Sequence, residues 1–136
     1  KGERILVIDD EARQREIAAD MLTSMQYTVD SVDSGEEALR FLEKNPVDLL
    51  ILDMIMTPGM SGLATYKEIL RIRPGQKAII VSGFSENEEV TEAMQLGAAI
   101  FIRKPYTYAR LGTAVKQALQ DLGETLSSPP DPASSA

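Results

Sequence analysis

The chain has 136 residues, with 21 acidic and 14 basic side chains and a formal net charge of -7. It contains no cysteine and no histidine, which excludes disulfides, thiolate or imidazole metal sites, cysteine nucleophiles, Ser-His-Asp triads and a phosphohistidine within these residues. The length predicts one domain, and the acidic balance opposes a nucleic-acid groove, which needs clustered Lys and Arg.

The apolar stretches 49–52 and 78–81 are strand-sized, far short of the ~18 residues of a membrane span. No membrane contact is expected of this segment, and a cytoplasmic setting is the default for a chain without disulfides. Lys1 in place of an initiator methionine predicts a piece of a longer or processed protein.

In chain order, Arg4-Ile-Leu-Val-Ile8 is a compact apolar run that predicts a strand buried on both faces, and it ends in Asp9-Asp10-Glu11. Ile17, Ala18, Met21, Leu22 and Met25 recur at helical spacing, so 11–25 is a predicted amphipathic helix. Residues 27–32 alternate and carry β-branched side chains, the pattern of a strand. Ser34 opens a helix with Glu37 at the capping-box position, and Asn45-Pro46 stops it. Residues 47–52 predict a buried strand ending at Asp53. The turn-rich Thr57-Pro-Gly-Met-Ser-Gly62 leads into a helix over 63–72. A third buried strand over 77–81 is broken by Ser82-Gly83. An acidic helix over 86–96 follows, then a short strand over 99–102 and a last helix from Thr107 to about Leu122. The Ser-, Pro- and Ala-rich end is expected as a flexible tail.

Strict alternation of strand and helix implies an α/β fold, a parallel sheet with helices on both faces. Ligands of such sheets sit beyond the carboxyl ends of the strands. Asp9, Asp10, Asp53, Ser82 and Lys104 all fall at strand ends, hence on one rim. Three converging carboxylates repel one another unless something compensates. A hard divalent cation such as Mg²⁺ is the natural partner, and a carboxylate can itself accept a phosphoryl group. Lys104 and the Ser82 hydroxyl would then stabilise that group. Each residue also has an ordinary alternative: Asp10 as the cap of the first helix, Ser82-Gly83 as a plain turn, Lys104 as a solvated lysine.

Ile8-Asp-Asp-Glu11, Leu52-Asp-Met54, Met60-Ser-Gly62, Val81-Ser-Gly83, Leu96-Gly-Ala98 and Lys104-Pro105 together resemble the receiver domain of two-component response regulators. The resemblance covers residues 4 to 122 and implies a five-stranded flavodoxin-like (βα)5 sandwich with strand order 2-1-3-4-5. The receiver domain is expected over 1–123 and the tail over 124–136. The resemblance further implies a signalling phosphoacceptor rather than an enzyme. Asp53 would accept the phosphoryl group, and Asp9, Asp10, Asp53 and the Ile55 backbone carbonyl would bind Mg²⁺. Lys104 would contact the phosphoryl oxygens, Ser82 would be the switch hydroxyl, Phe101 the aromatic switch residue, and Lys104-Pro105 a cis bond. The implied partner is a histidine kinase or histidine phosphotransfer domain. A phosphorylation-dependent dimer through the fourth helix, fifth strand and fifth helix is also implied. The Met-Ile-Met and Val-Ser-Gly-Phe-Ser stretches are similar to receivers attached to hybrid sensor histidine kinases.

The loop after Asp53 departs from the family pattern: Thr57 stands as an extra residue before Pro58, and Ser61 replaces the usual Asp. Three other functions are weaker. A haloacid-dehalogenase phosphatase would want a second Asp where this chain has Ile55. A flavodoxin-like cofactor binder would want a phosphate loop where Asp9-Asp10-Glu11 repels phosphate. A receiver-shaped module that is never phosphorylated would not need the full acidic set. Ile55 and Phe84 are apolar where many receivers are polar, and apolar groups there would hinder water from reaching an acyl phosphate. Autodephosphorylation of wild type is therefore expected to be slower than that of Ile55→Asn and Phe84→Glu; equal rates would contradict the idea.

Overall fold

A computed structural model describes residues 2–56, 59–83 and 88–127. Strands and helices alternate: β1 (Arg4–Ile8), α1 (Ala12–Ser24), β2 (Thr28–Val32), α2 (Gly35–Lys44), β3 (Leu49–Asp53), α3 (Gly62–Ile72), β4 (Ala78–Ser82), α4 (Glu88–Leu96), β5 (Ile100–Arg103) and α5 (Tyr108–Ser127). All pairings are parallel, in the order β2-β1-β3-β4-β5. This is the expected flavodoxin-like fold. Thr57, Phe84, Glu86, the side chain of Leu122 and residues 128–136 of the expected tail lie outside the described set.

The order explains the composition of the strands. The central strands β3 and β4 are buried at every position, and β1 at all but its first. Edge strands β2 and β5 are only partly covered. Because strand side chains alternate between faces, each central strand feeds two cores. Leu6, Ile8, Leu50, Leu52 and Ile80 pack with Ala38 and Leu42 of α2, Tyr66 and Ile69 of α3, and Val90 and Ala93 of α4. Ile5, Val7, Leu49, Ile51, Ile79, Val81 and Ile102 pack with Ala18 and Leu22 of α1 and with Leu111, Ala114, Val115 and Ala118 of α5. Each fully buried aliphatic side chain contributes about 1.5–3 kcal/mol to such cores, so the sheet has stability to set against an unfavourable cluster of charge at its rim.

Local chemistry sets the helix ends. The Ser34 hydroxyl accepts the Glu37 N–H at 3.1 Å, as the capping motif predicts, while the Glu37 carboxylate turns to Arg40. Thr107 Oγ1 accepts the Arg110 N–H at 3.0 Å. α1 is different: its cap position is Glu11, not Asp10, and the Glu11 side chain makes no capping bond. Asp9 Oδ1 accepts the Glu11 N–H instead, at 2.9 Å.

Helices α2 and α3 touch where Gly35 meets Thr65. A Cβ on Gly35 would collide with Thr65 Oγ1 and lie 3.1 Å from Thr65 Cβ. Thr65 is itself buried, its hydroxyl donating to the Ser61 carbonyl at 2.8 Å. Gly35→Ala is expected to destabilise the protein by about 1–3 kcal/mol. The same change in a Thr65→Ala background should cost distinctly less, measured as a double-mutant cycle in denaturant. An equal cost in both backgrounds would show that this contact is not what excludes a side chain at position 35.

Candidate functional site

Parallel register brings the carboxyl ends of the central strands together. Ile8 pairs with Leu52, and Asp53 with Val81. The Asp9 N–H donates to the Val32 carbonyl at 3.2 Å, and the Lys104 N–H to the Ser82 carbonyl at 2.8 Å. β1 lies between β2 and β3, so the winding direction reverses between β1 and β3, where α/β sheets open a crevice. Asp9 and Asp10 stand on one side of that reversal and Asp53 on the other.

Carboxylate oxygens of Asp9, Asp10 and Asp53 all lie within 4.8 Å of one another. Asp9 and Asp53 are buried, each 6% exposed, and Asp10 is half-buried. Lys104 Nζ reaches into the group, donating to Asp9 Oδ2 at 3.1 Å and to Asp53 Oδ2 at 3.4 Å. The other Asp53 oxygen accepts the Ile55 N–H at 3.2 Å. The rim thus brings together the three aspartates and Lys104.

Ser82 is fully buried and, being two residues beyond Ile80 on the same strand, lies on the α3–α4 side of the sheet. Phe101, paired with Ile80, packs half-buried against that same core. The two proposed switch residues therefore share a face. Ile55 is exposed between buried Met54 and Met56. The Lys104-Pro105 bond is cis, as the resemblance implied.

The loop after Asp53 is fastened at its far end despite the departure from the family pattern. Ser61 Oγ caps α3, accepting the Ala64 N–H at 3.1 Å. The Gly62 N–H donates to the Met54 carbonyl at 3.1 Å. Gly62 sits so close that a Cβ would fall 2.5 Å from the Asp53 carbonyl oxygen and 2.6 Å from Met54 Cα. Another contact is one the sequence does not announce: Arg15 Nη1 donates to the Asp9 carbonyl oxygen at 2.8 Å.

Electrostatics follow from this crowding. Burial pushes the Asp53 carboxyl up to about 6, against the pull of the Lys104 charge and the Ile55 N–H, with the Asp9 charge adding to the rise. Burial alone would lower the Lys104 ammonium, but the Asp53 and Asp9 charges and hydrogen bonds outweigh it and hold it above its ordinary value. Burial also raises the nearby Tyr106 phenol; Lys104 opposes this, and Asp9 and Asp53 reinforce it.

The residues fit a hard divalent cation. The chain offers carboxylate and carbonyl oxygens at the rim and has no thiolate or imidazole to offer. Oxygens bound to one Mg²⁺ lie up to about 4.2 Å apart, so the triad would need only a small contraction to share an ion.

A raised carboxylate pKa means that folding penalises the ionised form. The penalty is absent below the unfolded value near 4, grows as pH rises through the folded value near 6, and is complete above it. Its ceiling is about 3 kcal/mol, reduced in an Asn variant because Lys104 also loses an ion-pair partner. In chelator, Asp53→Asn is expected to melt above wild type at pH 7.5, with the gap closing towards pH 4. A gap that widens on acidification would contradict the assignment of burial as the dominant cause.

The family model described as Response regulator receiver domain matches residues 5–116. The chain is 33% identical over 117 residues to the chemotaxis protein CheY of Thermotoga maritima, covering 85% of this chain and 97% of that protein. It is 34% identical over 121 residues to the transcriptional regulatory protein ZraR of Salmonella typhimurium, covering 89% of this chain but only 27% of that one. Among solved structures, a CheY-like response regulator receiver domain protein from Methanospirillum hungatei superposes with a TM-score of 0.85 at 26% identity, over 92% of this chain and 99% of that chain. NtrX from Brucella abortus gives a TM-score of 0.85 at 28% identity, over 93% of this chain and 29% of that chain.

Proposed function

The chain belongs to the response regulator receiver family, and from that premise we propose that the Asp53 carboxylate accepts a phosphoryl group from a phosphohistidine. The 136 residues contain no histidine, so the donor lies outside them, on a histidine kinase or phosphotransfer domain. The observation that carries the reading is the joint placement of Asp9, Asp10 and Asp53 within 4.8 Å, with Lys104 Nζ 3.4 Å from Asp53 Oδ2.

A carboxylate oxygen of Asp53 attacks phosphorus in line. A P–O bond forms as the P–N bond to the donor imidazole breaks, and the departing nitrogen keeps the electron pair and takes a proton from solvent. Lys104, drawn between Asp9 and Asp53 in the resting site, is in reach of the oxygens of a phosphoryl group on Asp53 and offsets their charge. Gly62 and the Ser61 cap hold the far end of the loop against the Asp53 backbone, which limits where that carboxylate can point. Asp9, Asp10, Asp53 and the Ile55 carbonyl would hold Mg²⁺, which when bound supplies positive charge to the transferring phosphoryl oxygens.

After transfer, the Ser82 hydroxyl turns to the new phosphoryl oxygens and Phe101 moves towards the space behind it. Both stand on the face that packs against α4, so the change is felt on the surface formed by α4, β5 and α5, where a second receiver or an effector would dock.

Incubation with acetyl phosphate and Mg²⁺ is expected to add one phosphoryl group to the intact protein by mass spectrometry. Asp53→Asn should add none, and Lys104→Ala should be slowed. Retention of the adduct in Asp53→Asn would overturn the proposal.

A further inference from the structure

Arg15 stands on the first turns of α1, four residues after the Glu11 cap position, with its own N–H donating to the Glu11 carbonyl at 3.0 Å. Long side chains on a helix lean back towards its N-terminus, and Arg15 does so far enough for Nη1 to reach the Asp9 carbonyl oxygen at 2.8 Å. For the helix alone this is a poor arrangement. A cation near a helix N-terminus opposes the macrodipole, and holding an arginine in one rotamer carries an entropy cost. Two carboxylates, Asp33 and Glu37, line the same cleft of about 400 Å³ as Arg15. Glu37 pairs instead with Arg40 at 2.6 Å, and Arg15 Nη1 bonds to the Asp9 backbone.

That backbone is the peptide joining the two rim aspartates of β1. Asp9 is otherwise tied by its N–H to Val32, by Oδ1 to the Glu11 N–H and by Oδ2 to Lys104. Those bonds fix its nitrogen and its side chain. The Arg15 bond holds its carbonyl oxygen, and with it the plane of the Asp9–Asp10 peptide, whose orientation governs where Asp10 projects. Of the three clustered aspartates, Asp10 is the most exposed.

We infer that Arg15 is a positioning residue for the divalent-cation site, aiming the Asp10 carboxylate by locking the Asp9–Asp10 peptide. This rests on the metal-binding reading above. The inference makes a prediction opposite in sign to simple charge. If Arg15 acted only as a nearby cation, removing it would tighten Mg²⁺ binding. If it positions, removing it weakens binding, by roughly tenfold, the lower end of the range seen when groups that orient metal ligands are deleted.

The test is a calorimetric Mg²⁺ titration of the full chain, comparing wild type with Arg15→Met and Arg15→Lys, alongside thermal melts and backbone amide shifts in chelator. Arg15→Met is expected to bind about tenfold more weakly at a near-unchanged melting temperature, with metal-free shifts concentrated at Asp10 and Glu11. Arg15→Lys, which keeps a donor able to reach the carbonyl, should recover most of the affinity. Equal or tighter binding by Arg15→Met overturns the inference while leaving the cation site intact. Weakening that tracks a fall in melting temperature in both variants overturns it in favour of a purely structural role. No binding by wild type overturns the cation-site reading and this inference together.

Discussion

Three carboxylates held within 4.8 Å of one another at the edge of a low-dielectric core are the constraint on which this structure turns. Like charges at that range repel strongly, and the burial of Asp9 and Asp53 compounds the cost. Lys104 bridges two of the three, and the carboxyl of Asp53 still stands at about 6, well above an ordinary aspartate. A fold that keeps such a cluster must draw stability from elsewhere. Here it comes from β1, β3 and β4, which feed apolar side chains to both faces of the sheet and are fixed in register by their parallel partners.

The surrounding architecture serves this edge. The reversal of strand order puts the β1 and β3 ends side by side. Gly62 brings the start of α3 hard against the Asp53 and Met54 backbone, and Gly35 lets α2 close on α3 behind it. On the other flank, β5 hands Lys104 to the acidic group through a backbone bond to Ser82. Ser82 and Phe101 face the same core as Val90 and Ala93 of α4.

Much of this was legible in the sequence because it depends on periodicity and on chain termini of strands. Runs such as Arg4–Ile8 and Leu49–Leu52 are apolar at every position, which only a strand covered on both sides tolerates, and each stops at an aspartate. Parallel alternation then forces those ends onto one rim. Less legible were features that depend on where a side chain reaches in three dimensions. Ser61 read as a departure from the family pattern, yet its hydroxyl caps α3. Asp10 had the composition of a helix cap, but Asp9 takes the Glu11 N–H and leaves Glu11 at the cap position. Ile17 belonged to the apolar repeat of α1 and is nevertheless exposed, because only Ala18 and Leu22 of that helix point fully inward. Nothing in the sequence marks Arg15, because its six-residue reach back to Asp9 has no counterpart in sequence spacing.

The central claim is that the clustered aspartates form a cation site whose occupancy relieves their repulsion. The most direct measurement is the thermal unfolding midpoint at neutral pH across a Mg²⁺ series, run with Ca²⁺-free, chelator-treated protein as the baseline. A ligand that binds only the folded state raises stability with the logarithm of its concentration above its dissociation constant. The account predicts a midpoint that climbs steadily with Mg²⁺ in wild type and stays nearly flat in Asp10→Asn. A wild-type midpoint that does not move with Mg²⁺, or one that moves equally in Asp10→Asn, would contradict it.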